Sequence, residues 1–99
     1  MRNLEFTPEQ HKSMPCSSTE KLIPDLEKEG WEYEWSFHAK ITDQWNDACD
    51  KVKALQHSGD WEAVLVQNQD EDEKKDGVAY IYKKKTAQRI QWEKEQGYL

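Results

Sequence analysis

The sequence has no long apolar segment and few glycines. No stretch approaches the roughly 18 consecutive apolar residues of a membrane-spanning helix. Residues 1–5 begin no apolar leader, so we expect no signal peptide. The four glycines form no Walker-type or GxGxxG loop, which argues against a nucleotide cofactor. These absences predict a cytoplasmic protein without a membrane segment and without a cofactor.

Residues that bind metals or act as nucleophiles are also scarce. The chain has two cysteines, Cys16 and Cys49, and three histidines, at none of the short spacings of structural zinc sites. We therefore expect reduced thiols and no metal. His38 falls on the polar side of a predicted strand, and Cys49 falls on the apolar side of a predicted helix. A Cys–His catalytic pair is not expected from this placement, and the sequence predicts that the protein is not an enzyme.

Aromatic residues are the main source of a core. Hydrophobic residues make up only 35% of the 99 residues, below the roughly 45–50% of typical globular domains. Five Trp, four Tyr and two Phe compensate, because each large ring can bury about 150–250 Å². We expect a single domain over residues 19–99, preceded by a loosely ordered lead-in at residues 1–18.

Aromatic and polar residues alternate in the segment that follows Gly30. Trp31, Tyr33, Trp35 and Phe37 are separated by single polar residues. This period of two predicts a strand near residues 31–38 with all four rings on one face.

Two further strands are predicted near residues 61–67 and 78–83. The apolar run at residues 63–66 favours a central strand that is covered on both sides. Because the two segments are close in sequence, a hairpin is the simplest pairing.

Helices are predicted near residues 19–29, 42–58 and 86–96. Apolar residues recur at helical spacing from Ile41 to Leu55, with Thr42 or Asp43 as the helix cap. Thr86 is the expected cap of the last helix and Gly97 its stop. The expected fold is an α+β two-layer sandwich in which a small three-stranded mixed sheet carries the helices on one face.

Charge supplies the leading functional hypothesis. The formal net charge is -6, which disfavours nucleic acid and anionic membranes as partners. We therefore expect a small regulator or inhibitor that binds another protein with a basic surface, using an acidic face that resembles nucleic-acid phosphates. The candidate residues of this acidic face are Glu27, Glu29, Glu32, Glu34, Asp43 and Asp47.

A local concentration of tyrosine and positive charge supports an alternative. Such a combination can stack bases and neutralise phosphates of single-stranded nucleic acid. The candidate residues of this nucleic-acid face are Tyr80, Tyr82, Lys83, Lys84, Lys85 and Arg89. A small enzyme with an unrecognised site is the third possibility.

Overall fold

A computed structural model describes residues 14–66, 70, 72 and 77–97 of the chain. The sequence predicts a mobile acidic loop at residues 69–76, rich in Asp and Glu without an apolar anchor. This loop lies outside the described residues, except for Asp70 and Asp72, which are exposed. The described elements are β1 (Ser18–Thr19), α1 (Ile23–Lys28), β2 (Glu32–His38), α2 (Thr42–His57), β3 (Trp61–Val66), β4 (Val78–Lys85) and α3 (Ala87–Gln96).

The sheet is mixed, as predicted, but it has four strands instead of three. Its order is β1-β3-β4-β2, with β1 parallel to β3 and the other two pairs antiparallel. The expected hairpin of β3 and β4 is confirmed, and β3 is an internal strand. The extra strand β1 has only two residues, too few to show an alternating pattern in the sequence.

Helices contact both faces of this sheet, which corrects the expected placement on one face. Side chains of successive strand residues point to opposite faces. Leu65 packs in a core cluster with Trp45 and other residues of α2. Val64, on the other face, packs in a second cluster with Leu26 of α1. The sheet therefore has one face toward the long helix α2 and one toward the short helix α1.

A β-bulge in β2 interrupts the predicted alternation of aromatic residues. Tyr33 is opposite Tyr82 whereas Trp35 is opposite Ile81, so Glu34 is an extra residue on β2. Trp35 and Phe37 consequently pack on the α2 side, while Tyr33 contacts Tyr82 on the α1 side. The prediction that all four rings share one face is wrong for this reason.

The helix ends show where local sequence decides structure. Thr86 caps α3 by accepting a hydrogen bond from the backbone N–H of Arg89 at 3.2 Å, and Gly97 follows the helix with a φ of 80°, as expected. The cap residue of α2 is instead Ile41, which has no side-chain cap bond, so neither Thr42 nor Asp43 has the predicted role.

The described end of the predicted lead-in belongs to the folded domain. Met14 is buried in the core on the α2 side. The carbonyl oxygen of Ser17 accepts a hydrogen bond of 2.9 Å from the backbone N–H of Leu65, next to β1. Residues 1–13 of the predicted lead-in lie outside the described residues.

Candidate interaction surface

An exposed tyrosine lies on the face of the sheet that α1 covers only in part. The side chain of Tyr33 is 54% exposed. Its ring meets the buried Tyr82 ring edge-on, with centroids 5.9 Å apart and an interplanar angle of 75°. The Tyr33 hydroxyl donates a hydrogen bond of 3.2 Å to Ser36 Oγ, which holds the exposed ring against the strand.

Glu27 of α1 lies near Tyr82, the buried member of this tyrosine pair. Its neighbour Leu26 packs in the cluster that contains Tyr82. Burial raises the pKa of Tyr82, and the negative charge of Glu27 and the proximity of Tyr33 raise it further. Tyr82 is therefore a protonated hydroxyl at neutral pH. We call the surface formed by Glu27, Tyr33, Ser36 and Tyr82 the tyrosine patch.

Elsewhere in the fold, positive side chains cover the tryptophan rings. Lys and Arg groups lie over four of them at distances compatible with cation–π attraction. The distances to the ring centroids are 5.2 Å for Lys51 over Trp35, 4.5 Å for Lys83 over Trp61, 5.9 Å for Lys84 over Trp31 and 4.8 Å for Arg89 over Trp92. Among the described residues, no cation covers Tyr33, so this aromatic face is open.

The predicted acidic face does not form one surface. Glu27 and Glu29 are on α1, over one face of the sheet, whereas Asp43 and Asp47 are on α2, over the other. The other two candidates are in β2, where Glu32 is exposed and Glu34 is half-buried. Two of the six carboxylates are already paired: Glu34 lies 2.9 Å from Lys83 Nζ, and Glu29 lies 2.9 Å from Lys21 Nζ.

The predicted nucleic-acid face is also divided. Because strand side chains alternate, Tyr80, Tyr82 and Lys84 are on the α1 side of β4, while Lys83 and Lys85 are on the other. Three of the four positive side chains in this set form ion pairs within the protein. Lys83 pairs with Glu34, Lys85 Nζ lies 2.8 Å from Glu93, and Arg89 lies 3.4 Å from both Asp60 and Glu93.

The outer edge of β2 is poorly suited to pairing with another strand. His38 donates its backbone N–H to Gln44 Oε1 at 2.8 Å, and its carbonyl accepts from the N–H of Ile41 at 3.1 Å. The bulge at Glu34 disturbs the spacing of the remaining backbone groups. Side chains therefore offer the better contact surface in this part of the molecule.

A shallow groove of about 500 Å³ lies between α3 and the turn that precedes β3. Its lining residues are Asp60, Gln88, Arg89, Gln91, Trp92 and Glu95. Trp92 is 42% exposed. Arg89 is the cation that lines this groove, and its guanidinium is already paired with Asp60 and Glu93.

Cys49 and His38, the pair considered for catalysis, differ in exposure. Cys49 is buried, whereas His38 is exposed. Burial raises the pKa of Cys16 to about 12, an effect that a hydrogen bond with the backbone of Leu65 partly offsets and the nearby Cys49 thiol increases. Within the described ranges, no three Cys, His, Asp or Glu side chains are grouped as metal ligands.

The part of the chain described by the structure contains no helix with the length and apolar character needed to cross a membrane. No known protein family, curated protein or solved structure gives a significant match to this chain.

Proposed function

We propose that the chain is a non-enzymatic interaction module that binds another protein through the tyrosine patch. The observation that carries this proposal is the exposed Tyr33 ring, held against Tyr82 and Ser36 beside the carboxylate of Glu27. Tyrosine is enriched in protein interfaces because a rigid ring buries a large area at little cost in side-chain entropy.

The charges favour a partner with a basic surface. The formal net charge of the chain is -6, and several of its positive side chains are engaged with carboxylates or tryptophan rings. Because the net charge is negative, the long-range electrostatic field of the molecule is negative overall. Such a field accelerates association with a basic surface and repels other acidic ones. A regulator or inhibitor of another protein fits this description.

The single-stranded nucleic-acid alternative requires more rearrangement. Its proposed lysines point to both faces of the sheet, and three of its cations would have to leave their carboxylates before neutralising phosphates. We therefore rank it second, and an enzymatic role third.

Affinity capture with matched variants tests the proposal. Tagged wild-type protein, Glu27→Lys, Tyr33→Ala and Asp50→Lys are used on extracts of the native cells, with the bound proteins quantified by mass spectrometry. Asp50→Lys is the control because Asp50 is exposed on α2, and its substitution changes the net charge as much as Glu27→Lys does. We expect a protein that is retained by wild type and Asp50→Lys and depleted at least about tenfold by both patch variants.

The retained protein is then purified and titrated against the same four proteins. Direct binding that depends on Glu27 and Tyr33 supports the proposal. If the purified partner binds the patch variants as tightly as wild type, the tyrosine patch is not the binding surface and the proposal fails.

A further inference from the structure

The tyrosine patch lacks a component that this protein has at four of its tryptophan rings, a cation over the ring. Trp92, the other exposed aromatic side chain among the described residues, has the Arg89 guanidinium 4.8 Å from its ring centroid. Two half-buried tryptophans are also covered, Trp31 by Lys84 and Trp61 by Lys83. Tyr33 is more exposed than Trp92, yet no cation of the described residues lies over it.

A negative charge lies near Tyr82, the buried partner of this open ring. Glu27 is exposed, and within the described residues no hydrogen bond or ion pair joins it to a basic side chain. It lies close enough to Tyr82 for its charge to act on that hydroxyl, and Tyr82 is in edge-on contact with Tyr33. An aromatic face and a carboxylate thus flank the same buried phenol.

An arginine side chain matches both groups. Its guanidinium is planar and weakly hydrated, so it stacks on aromatic faces, and its forked N–H groups pair with a carboxylate through two hydrogen bonds. Lysine has a compact, strongly hydrated charge that fits the flat ring less well. The nearby Lys84 of this chain does not already fill the position, because its ammonium lies over Trp31.

We propose that the tyrosine patch binds an arginine side chain of the protein partner, with the guanidinium stacked on Tyr33 and paired with Glu27. This inference rests on the proposed function and adds the chemistry of the partner. Exposed cation–π contacts and surface ion pairs are each weak, so one arginine selects among partners and does not supply the whole affinity.

A displayed library of random twelve-residue peptides provides a probe that does not require the natural partner. Peptides selected on the wild-type protein are counter-selected on Tyr33→Ala, so that only binders of the patch remain. We expect these peptides to share an arginine. Replacing that arginine by citrulline, which has nearly the same shape without the charge, should weaken binding about fivefold or more.

Four protein variants assign the effect to its two proposed contacts. Glu27→Gln keeps the size of the side chain but removes its charge, and Tyr33→Leu removes the ring; each should reduce the preference for arginine over citrulline by at least about twofold. Tyr33→Phe keeps the ring and should retain the preference, although it loses the hydrogen bond with Ser36. Asp50→Lys should retain it as well. Circular dichroism confirms that each variant is folded.

Two outcomes overturn the inference. The first is a set of patch-dependent peptides without a shared arginine, or whose citrulline forms bind equally well; this result leaves protein binding through the patch intact. The second is a selection that yields no patch-dependent peptide. The capture experiment distinguishes failure of the proposed function itself, because in that case the natural partner would bind independently of Glu27 and Tyr33.

Discussion

Lys85, the last residue of β4, holds Glu93 of α3 through both carboxylate oxygens, at 2.8 and 3.0 Å from its Nζ. Glu93 is the buried residue of that helix, and Arg89 Nε lies 3.4 Å from the same carboxylate. The hydrogen bond from Lys85 is the main reason that the pKa of Glu93 is lowered, and the charges of Lys85 and Arg89 add to it against the opposing effect of burial. The buried side chain of α3 therefore meets the sheet through an ion pair.

Acid should weaken this connection. Because the folded pKa of Glu93 lies below its unfolded value of about 4.3, its contribution to stability is present above that value and is lost as the pH falls through the folded pKa. The difference in free energy of unfolding between wild type and Glu93→Gln should shrink between about pH 6 and about pH 3. Urea denaturation at a series of pH values measures it, and in a Lys85→Met background the difference should be smaller at neutral pH and should change less as the pH falls. A difference that does not change with pH would contradict this role for Glu93.

Trp45 should be the costliest tryptophan to remove. It is only 4% exposed and packs on Phe37 with ring centroids 5.9 Å apart. We expect Trp45→Ala to lower the free energy of unfolding by about 3–5 kcal/mol. Trp92→Ala, at a 42% exposed position, is the control and should cost less than about 1 kcal/mol. Chemical denaturation of both variants gives the comparison, and a loss below about 1 kcal/mol for Trp45→Ala would show that α2 does not form the core.

The glycine that precedes β4 should tolerate alanine less well than the glycine that ends α3. Gly77 and Gly97 both have left-handed φ angles, 83° and 80°, and that conformation alone costs an alanine about 1–2 kcal/mol. A Cβ on Gly77 would also lie 2.8 Å from Lys40 Cγ, whereas one on Gly97 meets nothing within 4 Å. Thermal denaturation should therefore show a larger drop in Tm for Gly77→Ala. Equal drops would mean that Lys40 moves aside without cost.

The cysteines should resist alkylation in the folded protein. With its pKa raised to about 12, Cys16 has very little reactive thiolate at pH 8, and Cys49 is buried. Iodoacetamide followed by mass spectrometry should show slow modification of the native protein and rapid modification in denaturant. Fast labelling of native Cys16 would show that it is more accessible than the fold indicates.

Single-stranded DNA or RNA should bind weakly or not at all at physiological salt, because the cations near β4 are held by carboxylates and act against the net charge of -6. Fluorescence anisotropy with a labelled strand measures this directly. Micromolar binding that disappears in the Lys83→Glu, Lys84→Glu double variant would favour the nucleic-acid alternative over a protein partner.

Strong periodicity allowed the main elements to be predicted from the sequence. The apolar stripe that contains Trp45 defines α2, and the β-branched residues near Val64 define an internal strand, because in both cases burial is encoded locally. The cap of α3 at Thr86 has an equally local signal.

Features that depend on contacts between distant residues could not be predicted in this way. The two-residue strand β1 exists because Ser18 pairs with Leu65, far along the chain. The bulge at Glu34 is decided by the register of β2 against β4, and no residue in the alternating segment marks it. The acidic face is predicted from the excess of negative charge, which does not specify position, and α1 and α2 place four of its members on opposite sides of the sheet.

The bulge in β2 decides which face of the sheet Tyr33 occupies. Because Glu34 is the extra residue, its removal would leave Tyr33 opposite Tyr82 and Trp35 opposite Ile81 in a regular strand. If the chain instead kept residue 34 and lost the bulge, Tyr33 and Trp35 would share a face, and Tyr33 would point toward α2, into a core that is already filled. In the evolution of this protein, the loss of the single in-frame codon at position 34 would therefore keep the proposed binding residue on its face of the sheet.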